Sequence, residues 1–317
     1  MQDKISVLVP FHSLEKYLFC CLQSIQKQTY KNFEVVMLAN NVHDDSKKIA
    51  EKFAKTDSRF LLFDCPKKTK NIAVIRQCAL QLASGKFVAW VDGDDAVLPT
   101  FLEQLHKAIT QNNAQLSVCG VKAQRGKKLC NQKDAKEKVC KIFLPQQVQK
   151  MCMVNSNING AITNKMFVTK IAKQISFDPQ CKIFEDLDYC LRYLNLCQRV
   201  AVQPAKNYVY VHRSGSLTKH TKPINLYLRI NTLNKIVAKF SGTQIEQVAK
   251  FDRGMQTVVV MHYACKKKYA CDGLKNKIFA KYLTDALHTK TKGFGISKFA
   301  KLAMRPYLIK AKMRAKK

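Results

Sequence analysis

Acidic residues are scarce in this chain of 317 residues, which carries 22 Asp and Glu against 55 Lys and Arg. The resulting net charge of +33 indicates a negatively charged partner or neighbouring surface. Nucleic acid, anionic lipid headgroups and a phosphorylated glycolipid all satisfy that condition. The basic residues are spread along the chain, however, without zinc-finger spacing, an RNP-like aromatic motif or a basic zipper. We therefore expect no nucleic-acid partner, and a basic nucleic-acid-binding protein stays an alternative.

Other absences narrow the class of protein further. The 13 cysteines include no C-x-x-C pair, which argues against a zinc site and favours reduced, buried thiols over a disulfide framework. No stretch approaches about 18 uncharged apolar residues, and the first residues do not resemble a signal peptide. We therefore expect no transmembrane helix and a cytoplasmic location. Dinucleotide-binding proteins and P-loop NTPases are disfavoured because neither of their glycine motifs is present.

Strand-like apolar segments alternate with segments of helical spacing in the first part of the chain. We predict five strands there, at Ile5–Val9, Phe33–Ala39, Phe60–Phe63, Phe87–Val91 and Leu116–Val121. Such alternation predicts an α/β fold, with a mostly parallel central sheet flanked by helices. Farther along we predict a basic loop, a mixed and mostly helical stretch, and a strand-rich stretch, at Gln124–Lys141, Pro145–Ile175 and Val200–Val211. From Leu226 onward the pattern is helical and basic.

Three carboxylates lie within four positions directly after the fourth predicted strand, in the run Asp92-Gly93-Asp94-Asp95. Like charges this close repel one another, so the cluster is costly unless a cation neutralises it. Carboxylate oxygens suit Mg²⁺ or Mn²⁺, which often bind phosphate oxygens as well. In α/β sheets, ligands bind at the carboxyl ends of strands. Asp92, Asp94 and Asp95 are therefore candidate metal ligands for nucleotide-diphosphate chemistry, with an acidic surface turn as the alternative.

Several motifs, taken in order, resemble those of glycosyltransferase family 2. The resemblance covers roughly residues 5–218. Its anchors are the opening strand Ile5–Pro10, the stretch Asn71–Gly85 with Arg76, the run Asp92–Asp95, the motif Phe184–Tyr189 and the loop Tyr210–Thr218. Each motif is weak alone, but their order and spacing together are specific. The resemblance implies the GT-A fold.

The resemblance also implies inverting transfer of a sugar from a nucleotide-diphosphate donor, expected to be a UDP-sugar. The chain would then be a metal-dependent hexosyltransferase that uses Mn²⁺ or Mg²⁺. An acceptor hydroxyl is a poor nucleophile, and a nearby carboxylate can take its proton. Asp186 is the expected base, with Glu185 and Asp188 as rivals. The alternative for these acids is a favourable interaction with a helix dipole.

The donor-binding residues implied by the same resemblance come from several segments. They are Pro10, Phe11, Asn40, Lys70, Arg76, Asp92, Gly93, Asp94, His212 and Arg213. Two of them have plain alternatives, since Arg76 can be a surface arginine and His212 an ordinary loop histidine. The chain departs from the family after the second strand, where Leu38-Ala39-Asn40-Asn41-Val42 replaces the usual Val-Asp-Asp-Gly-Ser. This departure leaves the nucleotide open and raises the alternative of an inactive scaffold.

The expected domain organisation is a catalytic domain at 1–222 followed by a basic helical region at 223–317. The catalytic domain would comprise a nucleotide-sugar half (1–98) and an acceptor half (99–222). The last helical region mixes Lys and Arg with apolar residues, which is typical of helices that lie on anionic membranes. We expect peripheral docking on the cytoplasmic face of a bacterial inner membrane. The acceptor would be a growing surface glycan, such as lipopolysaccharide, lipooligosaccharide or a lipid-linked oligosaccharide. A basic helix packed on the domain is the alternative.

Overall fold

The computed structural model describes residues 2–66, 68–125, 135, 138–154, 158–213, 223–266, 273–289 and 298–314. The chain divides into two compact units. Unit 1 comprises Met1–Gln149, Gly160–Pro179 and Tyr189–Ser214, and unit 2 comprises Lys150–Asn159, Gln180–Asp188 and Gly215–Lys317. The expected boundary after residue 222 and the halves 1–98 and 99–222 stay predictions. In this division, two short segments before that boundary group with the C-terminal helices.

Unit 1 is built on one sheet. Its strands are β1 (Ile5–Phe11), β2 (Phe33–Ala39), β3 (Phe60–Asp64), β4 (Phe87–Trp90), β5 (Ala96–Val97), β6 (Leu116–Arg125), β7 (Lys141–Phe143), β8 (Lys165–Val168) and β9 (Val200–His212). Over the described residues their order is β3-β2-β1-β4-β8-β6-β9-β5, and β7 pairs with β9. Strands β3, β2, β1 and β4 are parallel, whereas β8 runs antiparallel to β4 and β6. The predicted α/β class is thus confirmed, with a parallel first half and a mixed second half.

Helices cover this sheet because its strands are apolar on both faces. The helices are α1 (Leu18–Gln26), α2 (Ser46–Thr56), α3 (Ile72–Leu82), α4 (Phe101–Gln111), α5 (Pro145–Met153), α6 (Thr169–Ala172) and α7 (Glu185–Leu194). Every residue of β1 is buried. Alternate β1 side chains, such as Val7 and Val9, pack in one cluster with Leu22 of α1 and Leu105 of α4. The sheet edge that carries the carboxylate run therefore rests on a continuous core.

The entry into β4 is fixed by a close backbone approach and a buried carboxylate. A Cβ on Gly85 would lie 2.7 Å from both the Lys4 carbonyl oxygen and the Ser6 nitrogen, so only glycine fits here. Glu34 of β2 accepts from Ser6 Oγ at 2.6 Å and from the Ser84 nitrogen at 2.8 Å. Burial disfavours its charge, but hydrogen bonds from Lys4, Ser6 and Ser84 outweigh burial and lower the pKa of Glu34 to about 2. These contacts join β1, β2 and the start of β4.

One predicted segment needs correction. Helices α5 and α6 occur in the stretch that was expected to be mostly helical, but β8 enters the sheet between β4 and β6. The strand has only four residues and begins with a lysine, so no strand period shows in the sequence. Lys165 is fully buried, and its Nζ donates to the Ala161 carbonyl at 2.5 Å and to Asn164 Oδ1 at 2.8 Å. Most of the predicted loop Gln124–Lys141 lies outside the described residues, but its two ends belong to β6 and β7.

The cysteines agree only partly with the expectation of reduced thiols. Cys21 and Cys119 are buried thiols outside any disulfide, and burial raises the pKa of both. Cys20 is half-buried and disulfide-bonded. The expectation is therefore wrong at Cys20, where adjacent residues of one helix have different surroundings.

The C-terminal part of unit 2 is helical, as predicted. Its helices are α8 (Pro223–Lys239), α9 (Gln244–Lys266), α10 (Gly273–His288) and α11 (Lys298–Arg314). Helix α9 contacts the other three. A separate apolar cluster that includes Val260, Leu283 and Met304 forms their core. In the part of the chain that the structure describes, none of the helices has the length and apolarity needed to cross a membrane.

Candidate active site

The carboxylate turn, Asp92-Gly93-Asp94-Asp95, follows β4 at its carboxyl end. The Asp95 nitrogen donates to the Asp92 carbonyl at 2.9 Å and closes the turn. Gly93 is buried, and a Cβ there would lie 3.1 Å from Phe11 Cβ at the end of β1. The side chains of Asp92 and Asp94 are 38% and 20% exposed, so both carboxylates reach solvent. Two of the predicted ligands are therefore accessible at the edge where ligands bind in α/β sheets.

Asp95 is different, because its carboxylate is buried and bonded to β9. It accepts from the Tyr208 hydroxyl at 2.6 Å and from the Val211 nitrogen at 2.8 Å. Burial, followed by the charges of Asp92 and Asp94, raises the pKa of Asp95 to about 8. The Tyr208 hydroxyl also accepts from the Asp92 nitrogen, at 3.2 Å. Sequence reasoning missed Tyr208, because this residue lies in an apolar strand 113 positions from Asp95.

Two arginines supply positive charge to the carboxylate turn. Arg76 is buried on α3, with its guanidinium 3.6 Å from Asp92 Oδ1. Arg213, directly after β9, donates from Nε to Asp94 Oδ2, and its guanidinium lies 5.9 Å from the centre of the Tyr17 ring. The tertiary structure thus joins predicted donor residues from three distant segments, and it places Arg76 inside the protein rather than on a helix surface.

The ends of β1 and β2 hold three more of the predicted donor residues. Pro10 and Phe11 end β1 and are buried. Asn40 Nδ2 donates to the Thr69 carbonyl at 2.9 Å, and Asn40 Oδ1 accepts from the Thr69 nitrogen at 3.4 Å. The ring nitrogen Nδ1 of His12 lies 2.9 Å from the Asn40 carbonyl oxygen. The Asn40 amide therefore anchors the segment after β3, and His12 lies beside it.

The remaining two predicted donor residues, Lys70 and His212, also lie in unit 1. Lys70 is exposed just before α3, whose first turn is capped by Asn71 through a bond to the Ala73 nitrogen. His212 is half-buried, and its ring meets the Tyr210 ring edge-on with 5.0 Å between centroids. The predicted donor loop from residue 214 onward lies outside the described residues.

The base segment, residues 180–188, belongs to unit 2 and ends in the first turn of α7. Phe184 has a φ of +64°, a strained conformation for a bulky residue that costs about 1–3 kcal/mol. Glu185 and Asp188 are buried, and Asp188 pairs with Lys239 Nζ at 2.8 Å. Asp186 is half-buried, with Oδ1 accepting from the Leu187 nitrogen at 2.8 Å. Backbone strain of this kind concentrates at functional sites.

Residues 6–169, just over half of the chain, match the model of the family described as glycosyl transferase family 2. The chain belongs to glycosyltransferase family 2. The family match ends before the base segment. The assignment of Asp186 and its neighbours therefore depends on the local geometry and on the motif resemblance.

Curated relatives of this family 2 chain match it over a short region. Glycosyltransferase GlyA of Streptococcus pneumoniae is 36% identical over 118 residues, which are 37% of this chain and 17% of GlyA. Cholesterol galactosyltransferase of Borreliella burgdorferi is 31% identical over 116 residues, which are 37% of this chain and 32% of the relative. The matched regions thus span about a third or less of these relatives' own length.

Solved structures extend the likeness to the whole chain. TarS 1–349 of S. aureus, in complex with UDP-GlcNAc, gives a TM-score of 0.66 at 18% identity, covering 98% of this chain and 88% of TarS. Mannosyltransferase PcManGT of Pyrobaculum calidifontis, in complex with GDP-Man and Mn²⁺, gives 0.57 at 15% identity, covering 99% and 87%. At this identity the likeness concerns the fold, and it confirms the GT-A fold for this family 2 protein.

Replacing Tyr208 by Phe tests whether the Tyr208 hydroxyl stabilises the carboxylate turn. The change removes the hydroxyl shared by the Asp92 nitrogen and the buried Asp95 carboxylate. We expect the free energy of unfolding of unit 1 to fall by about 1–3 kcal/mol. The measurement is urea unfolding followed by fluorescence of Trp90, the single tryptophan, which lies in unit 1.

Tyr17→Phe is the matched control, since Tyr17 contacts the site through its ring, which lies near Arg213. Its loss should stay below about 0.5 kcal/mol. Equal losses in the two variants would contradict the bridging role of the Tyr208 hydroxyl.

Proposed function

We propose that this chain is an inverting glycosyltransferase that moves a sugar from a UDP-sugar to a hydroxyl of a growing surface glycan. One observation carries the proposal: the partly exposed carboxylates of Asp92 and Asp94 lie at the carboxyl end of β4, each beside an arginine. A bound metal ion and fixed positive charge both stabilise a diphosphate leaving group. The complex of TarS with UDP-GlcNAc supports a nucleotide-sugar donor.

Mn²⁺ or Mg²⁺ suits the candidate ligands Asp92 and Asp94. Both ions prefer carboxylate oxygens, and these two side chains are partly exposed to solvent. A divalent ion bound there would neutralise charge on the leaving diphosphate without proton transfer. Asp95, the third predicted ligand, already accepts two hydrogen bonds. We therefore assign Asp95 to holding the turn against β9, with Asp92 and Asp94 as the ligands.

The arginines and the ends of β1 and β2 would bind the rest of the donor. Arg76 and Arg213 carry fixed positive charge beside the carboxylate turn, and Arg213 can exchange its bond to Asp94 for one to a phosphate oxygen. Pro10 and Phe11, with Gly93 packed against Phe11, would form the floor near the nucleoside. The Asn40 side-chain amide is hydrogen-bonded to the Thr69 backbone. Other groups nearby would therefore recognise the nucleotide base or the ribose. Lys70 and His212 stay proposed contacts of the nucleotide-sugar donor.

Asp186 is the proposed catalytic base. It would accept the proton of the acceptor hydroxyl as that oxygen attacks the anomeric carbon and the bond to the nucleotide diphosphate breaks. A single displacement of this kind inverts the anomeric configuration. Asp186 is half-buried, whereas Glu185 is buried and Asp188 is fully buried and paired with Lys239. This difference in accessibility favours Asp186 over both rivals.

Replacing Asp94 by Ala should abolish metal-dependent donor binding, because one of two proposed metal ligands is lost. We expect the affinity for UDP in the presence of Mn²⁺ to fall about 100-fold or more. Isothermal titration of the parent and the variant with UDP and with GDP, with and without Mn²⁺, measures the effect. GDP is included because a structural neighbour holds GDP-Man.

Asp45→Ala is the matched control for this titration, since the Asp45 carboxylate is 64% exposed and paired with Lys48. Its UDP affinity should equal that of the parent. Parent protein that binds neither nucleotide would contradict the proposed function and favour an inactive scaffold.

Replacing Asp186 by Asn removes the proposed base while keeping the size and the hydrogen-bonding oxygen of the side chain. We expect the rate of UDP release from UDP-GlcNAc, with water as acceptor, to fall about 100-fold or more. The affinity for UDP should be unchanged, since the base is not assigned to donor binding. Asp45→Asn is the control, and retention of the parental rate in Asp186→Asn would overturn the assignment of the base.

We propose in addition that α11 docks on an anionic membrane surface at the cytoplasmic face of the inner membrane, near a lipid-linked acceptor. One side of α11 packs through Met304 and Ala311 in the unit 2 core. Ile309 and Met313 are 60% and 67% exposed, and their exposed neighbours include three basic residues, Arg305, Lys310 and Lys312. Apolar side chains flanked by cations suit an interface rich in anionic headgroups.

The double variant Lys310→Glu/Lys312→Glu tests this docking. Each basic residue near an anionic surface contributes about 1 kcal/mol, so binding should weaken about tenfold or more. Co-sedimentation with vesicles of phosphatidylcholine and phosphatidylglycerol measures it, with pure phosphatidylcholine as the reference. Lys47→Glu/Lys48→Glu in unit 1 changes the net charge equally, and an equal loss there would show that net charge, rather than α11, drives binding.

A further inference from the structure

Helix α8 contacts the base segment through side chains on one of its faces. At 100° per residue, positions 229, 232, 235 and 239 fall within an arc of about 120°. The contacts pair Arg229 with Phe184, Thr232 with Ile183, Lys235 with Gln180 and Lys239 with Asp188. All of these residues belong to unit 2. One face of α8 thus contacts the base segment at four of its residues.

Of these four contacts, the one made by the Thr232 hydroxyl joins two uncharged groups. A threonine within a helix commonly donates to the carbonyl four residues back. Here the distance from Thr232 Oγ1 to the Leu228 carbonyl is 3.3 Å, whereas the distance to the Ile183 carbonyl is 2.6 Å. Thr232 is only 1% exposed. Its single hydroxyl proton therefore serves the base segment rather than its own helix.

The bond to Ile183 acts on the strained residue. The Ile183 carbonyl belongs to the peptide unit directly before the N–Cα bond of Phe184, about which the φ of +64° is measured. Anchoring that carbonyl fixes the orientation of the peptide plane. The Arg229 guanidinium lies 5.2 Å from the centre of the Phe184 ring and holds the side chain of the same residue. A strained conformation persists only where its surroundings determine it, and α8 supplies two such contacts.

A third contact fixes the other end of the turn. The Asp188 nitrogen donates to the Phe184 carbonyl at 3.0 Å and closes the first turn of α7. The buried Asp188 carboxylate is held by Lys239 Nζ at 2.8 Å. Glu185 and Asp186 therefore lie between two points that α8 anchors.

We propose that α8 is the positioning element for the catalytic base, with Thr232 acting through Ile183 and Phe184 on the orientation of Asp186. This inference rests on the proposed function, in which Asp186 is the base. It assigns the C-terminal helical region a part in turnover that is separate from membrane docking.

The test compares Thr232→Val, which removes the hydroxyl at nearly constant volume, with Thr232→Ser, which keeps it. We expect amide hydrogen exchange at 184–188 to rise about tenfold in Thr232→Val and to stay parental in Thr232→Ser. The kcat for UDP release from UDP-GlcNAc with Mn²⁺ should fall about tenfold or more in the Val variant alone, with KM unchanged. Rescue by Ser and a change confined to kcat separate positioning from a general loss of stability.

Thr257→Val is the matched control, because Thr257 is equally buried on α9 and donates at 2.8 Å to the Arg253 carbonyl of its own helix. Its kcat and its exchange at 184–188 should be parental. If Thr232→Val does not fold, Arg229→Met makes the same comparison by removing the guanidinium over Phe184.

The outcomes that overturn the proposal are distinct. Parental exchange at 184–188 in Thr232→Val would show that α8 does not fix the segment. Faster exchange with parental kcat, or a change in KM alone, would show that the contact does not position the base. Failure of the proposed function is recognised separately, because the parent, the Ser variant and the Thr257 control would then all release no UDP.

Discussion

The mutual repulsion of Asp92, Asp94 and Asp95 is the constraint that shapes the carboxyl edge of the sheet. The structure offsets this repulsion in two ways. Arg76 and Arg213 lie beside the two exposed carboxylates, while the third is buried and held by a hydroxyl and a backbone N–H of β9. The two partly exposed acids are the proposed metal ligands, whereas the buried one is bonded to β9. Three similar residues in one run therefore have two different environments.

The rest of unit 1 keeps this edge in place. Strand β4 lies directly against β1 because Gly85 allows the two backbones to approach, and the Glu34 carboxylate ties the same region to β2. The strands below the turn are buried on both faces, so their side chains carry packing rather than chemistry. Most of the proposed donor-binding residues lie at the strand ends or in the segments that follow them, where ligands bind in other α/β sheets.

Unit 2 contains the proposed catalytic base, which is held in place by a different kind of contact. Its base segment is short, strained at Phe184 and anchored to α8 by a hydroxyl, a guanidinium and a buried ion pair. Rigid helices suit this purpose, because a base has to be held within about 0.5 Å of its productive position. The proposals thus give the C-terminal helices two separate roles, with α8 positioning the base and α11 docking on a membrane.

The alternation of strands and helices, the carboxylate run and the order of the family motifs could all be predicted from the sequence, because these features depend on residues close together in the chain. The helical and basic pattern of the C-terminal region could be predicted in the same way. The sequence did not reveal β8, whose four residues join the sheet only through strands on either side. Nor did it reveal that Tyr208 holds Asp95, that Asn40 is bound by Thr69, or that Thr232 reaches Ile183. Those roles belong to contacts between residues 29 to 113 positions apart. Only the tertiary structure decides them, because burial and hydrogen-bond partners depend on which distant segments meet.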